Sequence, residues 1–385
     1  MSIEVREISP DQHLAFVTSA AADRRQAAPV ASFLQTPAWA RVKPEWRHES
    51  VGFFRDGTPV GSGLVLYRSL PRIGRSLAYL PEGPVLDWDA PDVADALRAL
   101  AAHVKRRGAF GLRIGPTVVW RRWDAETVKS AVADSSITSL DQVTPTATAR
   151  VGTRLTNTLR HLGWRAPKTT DGFAAGQPQY NFALPLAHDD GTQKTDDQLL
   201  AGMNQLWRRN IKKADKLGVE AGAGTRADLA RFHELYLLTA SRDRFTPRPL
   251  GYFETMWDAL NGEDPDRMRV YLATHEGDLV AATTWIRLGR RAWYSYGASS
   301  DDKREVRGSN AIQWRMIRDA RDCGADVYDL RGITPAVASD DPEIGLIQFK
   351  VGTGGEAYSY IGEWDLPLNR VLYAAFDLYM SRRQR

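Results

Sequence analysis

The sequence predicts an α/β fold in which two similar units follow one another, each a mixed β-sheet flanked by helices. Residues 97–116 read as a helix ending in basic residues, then a glycine, then an apolar strand, and residues 313–333 repeat this order. Upstream of each stretch, two alternating apolar segments meet at a turn dipeptide. The dipeptide is Asp56-Gly57 in the first half and Gly277-Asp278 in the second, which is typical of a β-hairpin.

The chain length indicates two domains, because 385 residues are more than one hydrophobic core usually supports. A polar, glycine-containing segment at residues 186–195 lacks apolar periodicity and indicates the junction. We therefore expect a first domain over residues 1–187 and a second over residues 188–362. The C-terminal segment, residues 363–385, contains a last helix that we expect to complete the first domain.

The composition is that of a globular protein, with 43% apolar and 25% charged residues. No apolar run reaches the roughly 18 residues that span a membrane, and residues 1–7 contain no apolar signal core. The single cysteine, Cys323, excludes an internal disulfide. These features predict a cytoplasmic protein, which we expect to be a monomer. The net charge of +4 and a pI of about 9.1 suit an anionic partner.

The segment around Lys350 is the strongest chemical signal in the chain. An apolar run that we interpret as a short strand, Ile347–Val351, is followed by three glycines within the four residues 352–355. Glycines allow backbone to approach a ligand closely, since they have no Cβ. A lysine held before such a turn is a compact positive charge. It could stabilise the negative charge that develops on a carbonyl oxygen during acyl transfer.

A basic helix is predicted over residues 205–216. Spacings of three and four place most of its cations on one broad face, beside Trp207: Arg208, Arg209, Lys212, Lys213 and Lys216. The opposite side is predicted to hold Leu206, Asn210, Ile211 and Ala214. Such a face suits an RNA backbone. A helix face that only contacts solvent is the alternative.

Several common catalytic signatures are absent from the sequence. It contains no GxxxxGK[ST], GxSxG or HExxH motif, and its seven histidines lack the spacing of metal ligands. In enzymes that use acetyl-CoA, the turn from sheet to helix normally carries a glycine-rich loop that binds pyrophosphate. The equivalent residues here, 303–310, keep one glycine and fit that role poorly. We therefore expect no metal and no cofactor, although a degenerate coenzyme A site stays open.

Six motifs, spread in order over nearly the whole chain, resemble those of the FemABX family, the non-ribosomal peptidyltransferases of cell-wall synthesis. The motifs are QTPAWARVK (35–43), LPEGP (80–84), RRNIKKA (208–214), RPLGY (248–252), YSYGA (294–298) and FKVGTGGE (349–356). The resemblance implies two tandem acetyltransferase-like (GNAT) domains. Leu217–Glu220 runs directly into the next segment without a long helical insert, so the chain resembles the short form of the family.

The resemblance also implies an activity. Family members transfer an amino acid, here expected to be Gly, Ala or Ser, from aminoacyl-tRNA to a side-chain amine of the peptidoglycan stem peptide. The expected acceptor is UDP-MurNAc-pentapeptide or the lipid-linked precursor. The enzyme would then work at the inner face of the plasma membrane. Its amphipathic last helix could contact that membrane, or could cover a domain core instead.

The resemblance assigns roles to individual residues. It implies that Lys350 is catalytic and that Lys43 and Arg248 bind the diphosphate of the acceptor. Further substrate contacts are expected from Tyr252, Tyr294, Tyr296 and Phe349. Tyr294 and Tyr296 alternate with one serine, so they should share one strand face.

Three other functions remain open at this stage. The chain could use the same tRNA chemistry on another amine, such as that of a peptide natural product. It could be an N-acyltransferase that depends on coenzyme A. It could also be an RNA-binding module that has kept a transferase fold.

Overall fold

A computed structural model describes residues 3–23, 31–70, 74–167 and 176–383. In chain order, its strands are β1 (Ile3–Glu7), β2 (Arg47–Arg55), β3 (Thr58–Ser69), β4 (Ser76–Leu80), β5 (Val85–Leu86), β6 (Ala109–Ile114), β7 (Val119–Trp123), β8 (Ala147–Thr148), β9 (Tyr180–Pro185), β10 (Glu220–Ala223), β11 (Met268–His275), β12 (Asp278–Leu288), β13 (Arg291–Ser299), β14 (Val327–Gly332), β15 (Glu356–Tyr360) and β16 (Trp364–Pro367). Its α-helices are α1 (Pro10–Ala22), α2 (Pro37–Val42), α3 (Val93–Arg106), α4 (Ala125–Ala133), α5 (Arg150–His161), α6 (Asp196–Gly202), α7 (Gln205–Lys216), α8 (Leu229–Asp243), α9 (Leu250–Glu263), α10 (Gly308–Asp322), α11 (Ile344–Val351) and α12 (Arg370–Arg383).

The chain divides into two compact units, each assembled from separate segments. The first unit comprises residues 1–121, 147–179 and 359–385, and the second comprises residues 122–146 and 180–358. The structure differs from the division expected at residue 187. Residues 122–146 and 180–187 lie in the second unit instead of the first, and residues 359–362 lie in the first instead of the second. Strand β9 belongs to the second unit because it pairs antiparallel with β14. Of the C-terminal segment expected to complete the first domain, residues 384 and 385 lie outside the described residues.

The first unit contains a mixed sheet in the order β1-β2-β3-β4-β6-β16, with β5 pairing beside β3. Its neighbours are antiparallel except for β4 and β6, which run parallel and are connected through α3. A parallel pair needs a crossover of this kind. The predicted helix and following strand of the first half are therefore α3 and β6.

The second unit repeats this plan. Its sheet includes, in order, β10-β11-β12-β13-β14-β9-β15, and β13 and β14 run parallel and are joined by α10. The sixth strand of each sheet order comes from outside the repeated segment. In the first unit β16 pairs with β6, and in the second unit β9 pairs with β14. The duplicated α/β pattern predicted from the sequence is confirmed.

Both predicted hairpins are present, and each turns through two residues with positive φ. Asp56 and Gly57 have φ values of 46° and 84°, and Glu276 and Gly277 have values of 53° and 86°. Two successive residues with positive φ form the turn whose twist matches that of paired strands. The second turn lies one residue earlier than predicted, since Asp278 already pairs with His275.

The sheet of the second unit opens between its parallel strands. β13 pairs with β14 only over Arg291–Trp293 against Val327–Asp329, although β13 continues to Ser299. In the first unit, by contrast, the corresponding strand β4 pairs with β6 over its whole length. The remaining six residues of β13, Tyr294–Ser299, therefore face an opening in the sheet. The carboxyl end of β14 lies at that opening.

The last helix, α12, packs against the first unit. Its Tyr373 and Phe376 form a small core with Phe110 of β6, and the ring centroids of Phe110 and Phe376 are 5.5 Å apart. The same helix leaves Val371 and Leu378 exposed. Helix α12 therefore covers a core, which was one of the two expectations for it. It also keeps apolar side chains on its outer surface.

Candidate functional site

Lys350 lies in a helix, so the prediction of a strand at this position is wrong. Ile347, Lys350 and Val351 are the buried residues of α11, and spacings of three and four bring them to one helix face. A short apolar run has no period long enough to separate a buried strand from a buried helix. The local pattern was therefore ambiguous, and packing decided it.

The Lys350 ammonium group is buried at the end of β14. Its Nζ donates to the carbonyl oxygen of Gly332 at 2.6 Å and lies 3.4 Å from that of Arg331. The residue is 3% exposed. Burial lowers the pKa of Lys350 from 10.5 to about 7, while the carboxylates of Asp329 and Glu343 oppose this shift. The side chain can therefore change protonation near neutral pH, and its cation is held by carbonyl oxygens.

The glycines after Lys350 are explained by packing within this chain. A Cβ on Gly352 would lie 2.2 Å from the Trp207 ring, and one on Gly354 would lie 2.1 Å from the carbonyl oxygen of Gly202. A Cβ on Gly355 would similarly meet the carbonyl oxygen of Ala183 at 2.3 Å. The close approach that these glycines permit is to the protein's own backbone and to Trp207. The expectation that they approach a ligand is not needed to explain them.

Phe349 packs against Trp207, with ring centroids 4.7 Å apart. The Trp207 Nε1 donates to the Phe349 carbonyl oxygen at 2.8 Å, and Trp207 is 2% exposed. These contacts join α7 to α11. Trp207 therefore supports the segment that carries Lys350, and the expectation that it lies beside the cations on an RNA-facing surface is wrong.

Tyr294 and Tyr296 point to opposite faces of the sheet, contrary to the sequence prediction. Tyr294 pairs with Trp285 and Tyr296 pairs with Thr284, so Ser295 is an extra residue in β13. Because such a bulge shifts the alternation by one residue, the two tyrosines no longer share a face. Tyr294 packs against the main core of the second unit, where burial raises its pKa to about 12.

Tyr296 instead joins an aromatic group on the other face. Its ring lies 5.1 Å from that of Phe253, and its hydroxyl lies 3.4 Å from the Tyr252 hydroxyl. The exposed Arg248 places its guanidinium 5.3 Å from the centroid of the Tyr252 ring. His233 Nε2 donates to the Arg248 carbonyl oxygen at 3.0 Å and helps to hold this loop. Three of the predicted substrate-binding residues, Arg248, Tyr252 and Tyr296, are therefore neighbours.

Lys43 lies in the first unit, whereas the other predicted substrate-binding residues lie in the second. It caps the end of α2, and its Nζ lies 5.9 Å from the centroid of the Trp39 ring. Lys43 and Arg248 lie in different units, and their expected binding of one diphosphate stays a prediction.

The basic helix is α7, with the predicted bounds, and four of its five cations are exposed: Arg209, Lys212, Lys213 and Lys216. Arg208 differs, because its guanidinium donates to the Met203 carbonyl oxygen and lies 3.4 Å from that of Leu200, at the end of α6. Leu206 is 51% exposed, so its predicted place on the covered side is wrong. The other three residues of that side are at least partly buried.

Asp329 is a buried residue that the sequence analysis did not select. It is 2% exposed, and its carboxylate forms an ion pair with Arg291 at 2.9 Å. A single carboxylate inside the otherwise apolar stretch Val327–Leu330 is the signal that could have identified it, because buried charges need partners. Among the residues that the structure describes, no group of three or more His, Cys, Asp or Glu side chains could hold a metal ion. No helix within the described ranges has the length and apolarity to cross a membrane.

Comparisons with known proteins agree with this fold. Lipid II:glycine glycyltransferase of Staphylococcus epidermidis is 25% identical over 434 aligned positions, which cover 96% of this chain and 94% of the relative. The protein of the same name from Staphylococcus aureus is 24% identical, over 99% of this chain and 96% of its own. Since 434 positions exceed the 385 residues of this chain, the relative carries segments that this chain lacks.

Solved structures resemble the whole chain. A crystal structure of FemX superposes with a TM-score of 0.78 at 23% identity and covers 97% of this chain and 100% of its own. A tandem GNAT protein from the clavulanic acid biosynthesis pathway gives a TM-score of 0.52 at 13% identity, over 95% and 99% of the two chains. The FemAB family model matches residues 22–276 and 269–380. This chain therefore belongs to the FemAB family, and its two units have the tandem GNAT-like fold.

Proposed function

We propose that this protein transfers glycine from glycyl-tRNA to a side-chain amine of the stem peptide in a lipid-linked peptidoglycan precursor. The observation that carries the proposal is the buried Lys350 ammonium, held by two carbonyl oxygens where β14 ends at the sheet opening. The lipid-linked acceptor and glycine are favoured because the relatives that span this chain are named lipid II:glycine glycyltransferase. Transfer of alanine or serine, or to the soluble nucleotide precursor, is a less favoured form of the same proposal.

The chemical step is aminolysis of an ester. The neutral acceptor amine attacks the ester carbonyl carbon, the new C–N bond forms, and the C–O bond to the tRNA ribose breaks. The amine loses a proton and the released ribose oxygen gains one. An ordinary alkyl amine has a pKa near 10.4, so its neutral form costs about 4–5 kcal/mol at pH 7. Desolvation of the amine or a proton acceptor must lower that cost.

Lys350 in its protonated form would stabilise the oxyanion formed during this attack. An ammonium has three N–H donors, and the carbonyl oxygens of Gly332 and Arg331 engage two of them, so one can point to a ligand. A donor of this kind contributes about 3–4 kcal/mol to the transition state in related acyl transfers. Arg248, Tyr252 and Tyr296 would then contact the acceptor, with the guanidinium on a phosphate group.

The exposed cations of α7 would bind the tRNA backbone. Their number suits several phosphate contacts, and each contact steepens the dependence of binding on salt. The outer apolar residues of α12 and its basic end suit a peripheral contact with the membrane that carries the acceptor.

The proposal is tested by supplying the purified protein with labelled aminoacyl-tRNAs and with both the lipid-linked and the soluble nucleotide acceptor. Labelled amide from glycyl-tRNA and the lipid-linked acceptor is the expected product, and Lys350→Met should abolish it. Acetyl-CoA is the control donor. If acetyl-CoA supports transfer and no aminoacyl-tRNA does, the proposal is wrong and the coenzyme A alternative replaces it. Binding of tRNA without transfer would favour the RNA-binding alternative.

A further inference from the structure

The carboxylate of Asp329 occupies the point where the sheet of the second unit opens. Asp329 is the last residue of β14 that pairs with β13, opposite Trp293. On its other side β14 pairs with β9, and the register shifts between Asp329 and Gly332. Pairing of β14 with β13 therefore ends at Asp329, and the irregular part of its pairing with β9 begins at the same residue.

Three donors converge on this carboxylate. Arg291 of β13 and the Tyr358 hydroxyl of β15 both donate to Oδ2 at 2.9 Å, and the backbone N–H of Arg331 donates to Oδ1 at 2.7 Å. The Arg291 guanidinium also lies 3.4 Å from the Tyr358 hydroxyl oxygen. One buried carboxylate therefore connects β13, β15 and the backbone two residues ahead of itself.

The bond to Arg331 shapes the turn that meets Lys350. Arg331 has a φ of 63°, a left-handed conformation that L side chains adopt only when the surroundings hold it. An aspartate side chain that bonds the backbone two residues on is a standard way to hold such a turn. The carbonyl oxygens of Arg331 and Gly332, which this turn orients, are the two that surround the Lys350 ammonium.

We propose that Asp329 is a positioning residue. Together with Arg291 and Tyr358 it holds the Arg331–Gly332 turn, and this turn fixes the position of the Lys350 ammonium group. The inference rests on the proposed function, because the position of Lys350 matters for turnover only if its cation acts on the reacting ester. Asp329 acts through the turn and through its negative charge, and needs no contact with substrate.

The charged groups around Lys350 define what the loss of Asp329 would change. Asp329 and Glu343 favour the cation, and the Arg331 guanidinium disfavours it. Glu126 and Lys129 of α4, which packs against α11, are exposed. Neutralising Asp329 removes one of two favourable carboxylates and leaves the guanidinium of Arg331 in place.

The test compares the same substitution at two aspartates, one within β14 and one directly before it. Asp329→Asn keeps the size of the side chain and an oxygen for the Arg331 N–H, but removes the charge. It also places an NH2 group where Arg291 and Tyr358 donate, so both lose their acceptor and the turn loses its support from β13 and β15. Asp326→Asn is the matched control, since Asp326 pairs with Arg290 at the other end of β14. We expect Asp329→Asn to lower kcat about 100-fold with little change in acceptor KM, as for a misplaced catalytic group. The alkaline limb of its pH profile should move about one unit toward acid, because an opposite charge has been removed.

A second variant, Tyr358→Phe, and a titration of Lys350 measure the same role independently of Asp329→Asn turnover. Tyr358→Phe removes one bond to Asp329 and should lower kcat about tenfold, the effect of one hydrogen bond. The pKa of Lys350 can be followed without turnover by NMR of labelled lysine ε-carbons, with the signal assigned by its absence in Lys350→Met. It should fall in Asp329→Asn and stay unchanged in Asp326→Asn.

The outcomes separate this inference from the proposed function. If no donor supports transfer but the Lys350 pKa responds to Asp329 alone, the proposed function fails and the positioning role stands. If the wild-type protein transfers glycine while Asp329→Asn leaves kcat, the alkaline limb and the Lys350 pKa unchanged, the inference is overturned. Equal losses in Asp329→Asn and Asp326→Asn would also overturn it, since they would indicate a general effect on folding.

Discussion

Replacement of Lys350 by methionine should abolish transfer and make the protein more stable. The substitution keeps an unbranched apolar stem of similar length and removes the amine. Burial of Lys350, which lowers its pKa from 10.5 to about 7, corresponds to about 4–5 kcal/mol at neutral pH. Methionine avoids this cost but leaves the carbonyl oxygens of Gly332 and Arg331 without that donor, which costs about 1–3 kcal/mol. The net expectation is a gain of about 1–4 kcal/mol in the free energy of unfolding at pH 7.

The gain should shrink as the pH rises, and its sign follows from proton linkage. Between about pH 7 and pH 10.5, the unfolded chain keeps the Lys350 proton while the folded chain releases it. The unfolded state thus binds more protons, and raising the pH stabilises the folded state by up to about 1.4 kcal/mol per unit. Wild type should therefore gain about 2 kcal/mol relative to Lys350→Met between pH 7 and pH 9.

Urea unfolding of both proteins at pH 7, 8 and 9 measures this difference, and a transfer assay measures the loss of kcat. We expect kcat to fall at least 100-fold while acceptor affinity is kept, as for the loss of an oxyanion donor. A difference in stability that does not change between pH 7 and pH 9 would refute the burial argument. Transfer by Lys350→Met at the wild-type rate would refute the catalytic role.

Three further predictions concern other parts of the chain. Changing Arg209 and Lys213 to glutamate should reduce the slope of log binding constant against log salt concentration for tRNA by about one unit per lost phosphate contact. The control Lys105→Glu on α3 should leave this slope unchanged. An unchanged slope in the α7 variant would exclude α7 from the interface. Arg248→Ala should raise the acceptor KM about tenfold without changing stability, because the side chain is exposed; an unchanged KM would remove it from the acceptor site. Burial lowers the pKa of His13 to about 4, so the free energy of unfolding should fall by about 3 kcal/mol as the pH falls from 6.5 to 4. His13→Asn should show a smaller fall. Equal falls of the two proteins in urea unfolding would contradict this.

Much of the fold could be predicted because its signals are local. The turn dipeptides indicated both hairpins, although the second turn lies at Glu276-Gly277, one residue before the predicted Gly277-Asp278. Helix α7 is bounded as predicted, and its Asn204 side chain accepts from the Trp207 N–H at its start. Periodicity, turn chemistry and capping all act within a few residues, so the duplicated units could be recognised from the chain alone.

The candidate site could be predicted only in part. The sequence indicated Lys350 as a candidate. Its helix, its carbonyl partners and its lowered pKa depend on contacts between α11 and the end of β14, which are distant in sequence. The bulge at Ser295 was missed, so the faces of Tyr294 and Tyr296 were wrong. A bulge depends on the partner strand, and the sequence of one strand does not reveal it.

The sequence alone determined that two hairpin, strand, helix and strand units follow one another, and that a lysine precedes a glycine-rich turn. Only the tertiary structure decided which strand completes each sheet, which cations of α7 stay exposed, and that Asp329 lies where the sheet opens. The physical reason is one of range. Turns and helix periods act over a few residues, whereas burial and charge pairing join residues such as Arg291 and Asp329 that are distant in sequence.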